Sequence, residues 1–150
     1  MITFLRTDSK NNDFISLVKE LDAFLAVTDG DDHSFYDQYN KLDNIKYVIV
    51  AYIDDIPVAC GAIKQFDTTT MEVKRMFTSE KSRGKGLASK VLKELEKWAI
   101  ELSFERCILE TGIRQVEAVQ LYKKNSYILI ENYGQYAGIE ESLCFEKKLN

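Results

Sequence analysis

The stretch Arg83-Gly84-Lys85-Gly86-Leu87-Ala88-Ser89 joins a strand-like segment to the start of a long helical pattern. Its small residues let backbone N–H groups face outward at a helix N-terminus, where those groups and the helix dipole favour bound phosphate. The cations Arg83 and Lys85 add positive charge at the same place. A tight turn capped by Ser89 is the simpler alternative. The coincidence of glycines, cations, preceding strand and following helix favours a phosphate-binding loop.

Two other phosphate-binding patterns fit this loop less well. A Walker loop needs Gly-x-x-x-x-Gly-Lys-Ser/Thr, which the sequence lacks. A dinucleotide fingerprint is nearly supplied by Gly84, Gly86 and Ser89, with Glu110 near the end of the next predicted strand. In that fold the strand turns directly into the first glycine, whereas residues 79–83 intervene here. A dinucleotide-binding domain is therefore a distant alternative.

Apolar periodicity around the loop predicts the order β-α-α-β-β-β-α-β-α-β-β. This order is typical of an α+β fold in α/β/α layers, with a mixed central sheet and helices on both faces. The predicted strands cover residues 1–6, 47–53, 56–66, 72–78, 107–110, 127–130 and 143–147, and the predicted helices cover residues 14–25, 35–42, 87–102 and 118–122.

Length and composition set further limits on function. The 150 residues, 45% of them hydrophobic, predict one domain over residues 1–150. Formal net charge is −4, which opposes bulk attraction to nucleic acid or anionic lipid. No apolar run reaches the roughly 18 to 20 residues that cross a bilayer, and residues 1–10 lack the pattern of a signal peptide. We expect a cytoplasmic protein without nucleic-acid or membrane partners, and a homodimer is left open.

The three cysteines lie apart from one another, inside apolar and strand-like stretches. Cys60, Cys107 and Cys144 include no Cys-x-x-Cys pair and have no histidine close by. A disulfide framework needs an even number of cysteines, and a zinc site needs clustered ligands. These three cysteines are therefore predicted to be buried, reduced thiols. No metal site is predicted.

At Arg83, Gly86 and Ala88 the loop resembles, in register, the pattern Gln/Arg-x-x-Gly-x-Gly/Ala of the GCN5-related N-acetyltransferase (GNAT) superfamily. The resemblance continues through residues 72–77, 110–112 and 118–124, and it spans about two thirds of the chain, residues 47–148. It implies a splayed mixed sheet and acetyl-CoA as co-substrate. The loop N–H groups are then expected to hold the coenzyme A pyrophosphate.

The resemblance also implies coenzyme contacts outside the loop. Met76 corresponds to the residue whose N–H bonds the thioester carbonyl, Phe77 follows it, and Thr78 is a backbone partner of the pantetheine arm. Alternate backbone groups on one strand edge point the same way, which suits an extended ligand. Gln115 stands where the superfamily more often has Asn, which puts one coenzyme contact in doubt. Ser126-Tyr127 replaces the frequent Gly-Phe.

Two residues correspond to catalytic groups of the superfamily. Transfer to an amine needs a neutral amine, a donor for the developing oxyanion and an acid for the departing thiolate. Glu72 matches a general base that commonly acts through water, and its parity with Met76 predicts that both side chains share one sheet face. Tyr122 matches the tyrosine beside the thiol sulfur. The alternatives are a surface glutamate and a tyrosine that only ends an apolar stripe.

The acceptor is expected to be a small-molecule amine or an amino acid. Acidic residues 29–37, with His33 among them, would suit a cationic amine, and Tyr133 and Tyr136 could wall its pocket. Arg75 and Arg114 could instead hold an acceptor carboxylate. The resemblance therefore implies an acetyl-CoA-dependent N-acetyltransferase. The alternative from another class is a non-catalytic coenzyme A-binding module for sensing or assembly.

Overall fold

The computed structural model describes residues 1–29 and 44–149, so the predicted helix 35–42 lies outside the described residues. Within them the predicted strands and helices are confirmed, with end points shifted by a few residues. The strands are β1 Ile2–Thr7, β2 Tyr47–Ile53, β3 Ile56–Gln65, β4 Thr70–Thr78, β5 Arg106–Gly112, β6 Ile128–Ile130 and β7 Ser142–Lys148, and the helices are α1 Asn12–Asp29, α2 Leu87–Glu101 and α3 Val116–Lys124.

The seven strands form one sheet in the order β1-β2-β3-β4-β5-β7-β6. Every neighbouring pair is antiparallel except β4 and β5, which are parallel. Helix α1 packs its apolar stripe on one face, and α2 and α3 pack on the other. The stripe of α2 consists of Leu87, Val91, Leu92, Leu95 and Ala99, spaced at three and four residues. The predicted α+β mixed sheet with helices on both faces is confirmed.

The sheet splays between its two central strands. Strands β4 and β5 pair only over Thr70–Arg106, Met71–Cys107 and Glu72–Ile108. Beyond Glu72 the strands diverge, and β4 continues to Thr78 paired with β3 alone. The divergence leaves the second edge of β4 open toward β5, as the predicted splayed sheet requires.

An extra residue in β4 changes which side chains share a face. Cys60 and Ala62 on β3 pair with Phe77 and Lys74, so two steps on β3 oppose three on β4. Arg75 takes up the extra residue with φ +60°. Met76 consequently packs on the α2 face with Met71 and Val73, although simple alternation would place it opposite them. The prediction that Glu72 and Met76 share a face is therefore wrong.

Gly61 makes room for this bulge. A Cβ added at Gly61 would lie 2.5 Å from Met76 Sδ and 2.9 Å from Leu95 Cδ1. Only glycine lets the Met76 side chain cross β3 at this point without displacing α2. The residue opposite the bulge thus fixes where Met76, and the backbone of β4 beside it, can lie.

A buried carboxylate links α2 to the far half of the sheet. Glu96 accepts hydrogen bonds from the Tyr127 hydroxyl and Lys147 Nζ, both at 2.9 Å.

The three cysteines are free and buried, as predicted. Over residues 1–29 and 44–149, no helix is long and apolar enough to cross a membrane.

Candidate active site

A cleft of about 720 Å³ lies where β4 and β5 diverge. The second half of α1 forms one wall, and α3 with the start of α2 forms the other. Strand β4 lines it from Glu72 to Thr78, and β5 contributes Glu110, Thr111 and Gly112. The cleft therefore brings together the predicted phosphate loop, the open edge of β4 and both predicted catalytic residues.

The loop before α2 has the geometry of an anion cradle. Gly84 and Gly86 have φ of +82° and +74°, a backbone region that side chains disfavour. Gly86 is the N-cap of α2 and leaves the helix without a side-chain cap. The first N–H groups of a helix have no partner within it, so here they remain available to a ligand. A Cβ added at either glycine would meet nothing within 4 Å, which leaves the approach to the loop open.

The loop's cations take different positions. Arg83 donates from Nε to the Thr78 carbonyl oxygen at 3.1 Å, and its guanidinium carbon lies 5.1 Å from the Phe24 ring centre and 5.7 Å from that of Phe77. Arg83 thus ties the loop to α1 and β4 besides carrying charge. Lys85, between the two glycines, is exposed to solvent.

The open edge of β4 is compatible with an extended ligand. Met76 and Thr78 both follow the bulge and lie two residues apart, so their N–H groups point to the same edge. Thr78 Oγ1 is buried and has no hydrogen-bond partner among the described residues. A buried polar atom without a partner is unfavourable in the free protein, and a polar ligand in the cleft would satisfy it.

Tyr122 is buried in the cleft wall at 6% exposure. Its ring packs against Tyr127 and Phe145, with centroids 5.8 and 6.2 Å away. Burial, and to a lesser extent the negative charge of Glu110, raise the pKa of Tyr122. The hydroxyl therefore keeps its proton across the neutral pH range.

Glu72 lies in the cleft at 9% exposure and is held by a contact that the sequence did not reveal. The Tyr133 hydroxyl donates to Glu72 Oε2 at 2.6 Å, and Lys74 Nζ lies 3.9 Å from Oε1. Glu110 on β5 is a further cleft carboxylate, for which no part in acetyl transfer was predicted. The sequence did mark Glu110 as unusual, because it directly follows the buried residues Cys107, Ile108 and Leu109.

The predicted acceptor residues do not all meet. Arg75 and Arg114 both line the cleft, but the Arg75 guanidinium is buried toward α1, with Nη1 3.4 Å from Asp22 Oδ1, whereas the half-exposed Arg114 has Nε 4.0 Å from Glu141 Oε2. Tyr136 lines the cleft, and burial, with Glu110 and Glu72, raises its pKa. His33 and most of the acidic segment lie outside the described residues. Gln115 lines the cleft as the N-cap of α3.

Residues 1–29 and 44–149 contain no group of three or more His, Cys, Asp or Glu side chains placed to hold a metal ion. Carboxylates, tyrosines and backbone N–H groups line the cleft.

Comparison with known proteins agrees with this fold. Residues 14–127 match the acetyltransferase (GNAT) family, and the chain belongs to that family. It is 30% identical to an IAA acetyltransferase of Azospirillum brasilense over 99% of this chain and 98% of the relative.

Solved structures are similar over the whole chain. One of them is a Klebsiella pneumoniae protein described as an acyl-CoA N-acyltransferase. It superposes with a TM-score of 0.84 at 28% identity, covering 100% of this chain and 99% of that one. A GNAT acetyltransferase from Elizabethkingia anophelis with acetyl-CoA bound superposes with a TM-score of 0.70 at 16% identity, covering 99% and 98%. At 16% identity, the likeness to the Elizabethkingia protein is evidence for the fold alone.

Proposed function

We propose that this protein is an acetyl-CoA-dependent N-acetyltransferase that moves an acetyl group directly to a primary amine of a small molecule or amino-acid-like acceptor. One observation carries the proposal: a single cleft contains an uncapped helix N-terminus, an open strand edge, Glu72 and Tyr122. Family membership supports the transfer of an acetyl group. The Elizabethkingia protein, which has the same fold, has acetyl-CoA bound, and this supports acetyl-CoA as the co-substrate here.

The residues of the cleft fit acetyl-CoA. The N–H groups of residues 84–88 would hold the pyrophosphate, and the β4 edge at Met76 and Thr78 would pair with the pantetheine arm. Gln115 and Tyr122 complete the coenzyme wall. When bound, acetyl-CoA supplies an acetyl group activated as a thioester.

The chain's own side chains divide the proton chemistry. Glu72 takes a proton from the acceptor amine, directly or through water, because an amine attacks only when it is neutral. The Met76 N–H stabilises negative charge on the acetyl carbonyl oxygen. Tyr122 donates its proton toward the departing sulfur, a role that its raised pKa keeps available at neutral pH.

We further propose that residues 1–150 act as one cytoplasmic domain, and a homodimer stays a prediction that gel filtration tests.

The test is an acceptor panel assayed for thiol release from acetyl-CoA. Tyramine, spermidine, L-lysine and L-phenylalanine sample cationic and amino-acid amines, and IAA is added because the Azospirillum relative is named for it. Burial raises the pKa of the Cys60 and Cys107 thiols to about 12 and that of Cys144 to about 11, so the folded protein contributes little background. Acceptor-dependent release supports the proposal. Coenzyme A binding without release for any acceptor would favour the non-catalytic module.

A further inference from the structure

The contact between Tyr133 and Glu72 joins two residues that are 61 positions apart in the sequence. The hydroxyl-to-Oε2 distance of 2.6 Å is in the range of a charge-assisted O–H···O⁻ bond. Tyrosine has one polar side-chain group, and here that group points at the carboxylate. Tyr133 therefore acts on Glu72 rather than presenting its hydroxyl to an acceptor.

The Tyr133 ring is fixed by its neighbours. It packs edge-on against Phe66 and Tyr136, with centroid distances of 5.3 and 5.8 Å. Asn132 closes the β6–β7 loop (residues 131–141), because its Nδ2 donates to the carbonyl oxygens of Ile139 at 2.9 Å and Ser142 at 3.0 Å. A ring held on two sides, in a loop closed on itself, presents its hydroxyl in one place.

The two carboxylate oxygens of Glu72 have different surroundings. Oε2 accepts the Tyr133 bond, whereas Oε1 has a 3.9 Å ion pair with Lys74. Burial and the adjacent Glu72 raise the pKa of Tyr133, so this side chain stays a neutral donor throughout the working pH range. A carboxylate held through one oxygen keeps its second oxygen oriented for proton transfer.

We propose that Tyr133 is a positioning residue for the acceptor reaction: it anchors Glu72 through Oε2 so that Oε1 faces the acceptor amine or its bridging water. This inference rests on the proposed function, because it assigns a support to the base of that reaction. It also gives the β6–β7 loop a role in catalysis.

A double-mutant cycle with Tyr133→Phe and Glu72→Gln tests the anchor. For the panel acceptor that wild type acetylates fastest, Tyr133→Phe is expected to lower kcat about tenfold, because misplacing a proton acceptor slows transfer. The KM for acetyl-CoA should not change. Once Glu72 is Gln there is no base to position, so adding Tyr133→Phe should change kcat less than about twofold.

Tyr52→Phe is the matched control. Tyr52 also donates to a carboxylate at 2.6 Å, that of Asp13, near the start of α1 and away from the cleft. Removing this hydroxyl deletes a bond of the same type and length. Its kcat and both KM values should equal those of wild type.

Each adverse outcome has a distinct meaning. If Tyr133→Phe raises the acceptor KM while kcat holds, or if the tenfold loss persists in Glu72→Gln, then Tyr133 contacts the acceptor and the anchor is overturned. Wild type without acetyl transfer overturns the proposed function instead. A urea-unfolding cycle of Tyr133→Phe with Glu72→Ala needs no activity: a non-zero interaction supports the anchor, and a zero value overturns it.

Discussion

Replacing Gly86 by Val tests the placement of the pyrophosphate at the start of α2. Gly86 has φ +74°, and a side chain in this left-handed region costs about 1–2 kcal/mol, with a β-branched residue at the upper end. For a chain of this length each kcal/mol lowers Tm by about 2–4 °C, so the variant should melt about 2–8 °C below wild type and remain folded.

The ligand response should change far more than the fold. Coenzyme A at 100 times its Kd stabilises wild type by about 2.7 kcal/mol, which raises Tm by about 5–11 °C. A Cβ at residue 86 projects into space with no protein atom within 4 Å, so it obstructs the approach to the loop rather than the packing. The shift for Gly86→Val should fall below about 2 °C at the same coenzyme concentration, by the same mass-action relation.

Gly138→Val separates backbone strain from lost binding. Gly138 has φ +78°, also has nothing within 4 Å of an added Cβ, and lies outside the residues that line the cleft. This variant should lose a similar amount of stability and keep the full coenzyme shift in differential scanning fluorimetry. A full shift in Gly86→Val would place the pyrophosphate elsewhere and refute the assignment of the loop.

Other substitutions address the remaining roles. Tyr122→Phe should lower kcat about tenfold without changing the coenzyme Kd measured by calorimetry, and an unchanged kcat would remove it from the acid role. Glu72→Gln should lower activity more at low pH than at high pH, because alkyl amines of pKa about 10.4 are almost fully protonated at low pH and need a base. A pH–rate profile parallel to that of wild type would contradict the general-base role of Glu72. Glu96→Ala should lower the free energy of unfolding in urea by about 3 kcal/mol, because the buried Tyr127 hydroxyl and the partly buried Lys147 ammonium lose their acceptor. Glu101→Ala, which breaks an exposed pair with Arg6, should leave the urea midpoint nearly unchanged, and equal losses would show that burial does not matter here.

Local sequence patterns were sufficient for most of the fold. The β-branched and aromatic run of β2 and the three-and-four spacing in α2 report burial directly, since one face of each element must be apolar. The glycine loop was predictable for a different local reason, because its backbone conformation limits which residues fit there.

The bulge in β4 was not predictable in this way. Counting alternate residues assumes an unbroken period of two, and nothing in Lys74-Arg75-Met76 marks Arg75 as the residue with φ +60°. The decisive constraint is Gly61 on the neighbouring strand, whose missing side chain admits Met76. Pairing across strands is a long-range property, and so is the bond between Tyr133 and Glu72.

The open edge of β4 also bears on self-association. Unpaired strand edges commonly recruit a strand from another molecule and so lead to aggregation. Here the stretch from Val73 to Thr78 lies inside a cleft, between α1 on one side and α3 on the other. A linear ligand needs only the strand edge itself, whereas a second β-sheet would also have to fit its side chains between the two helices. The recess thus keeps this one edge from pairing with a strand of another molecule, while the edge stays available to a small ligand.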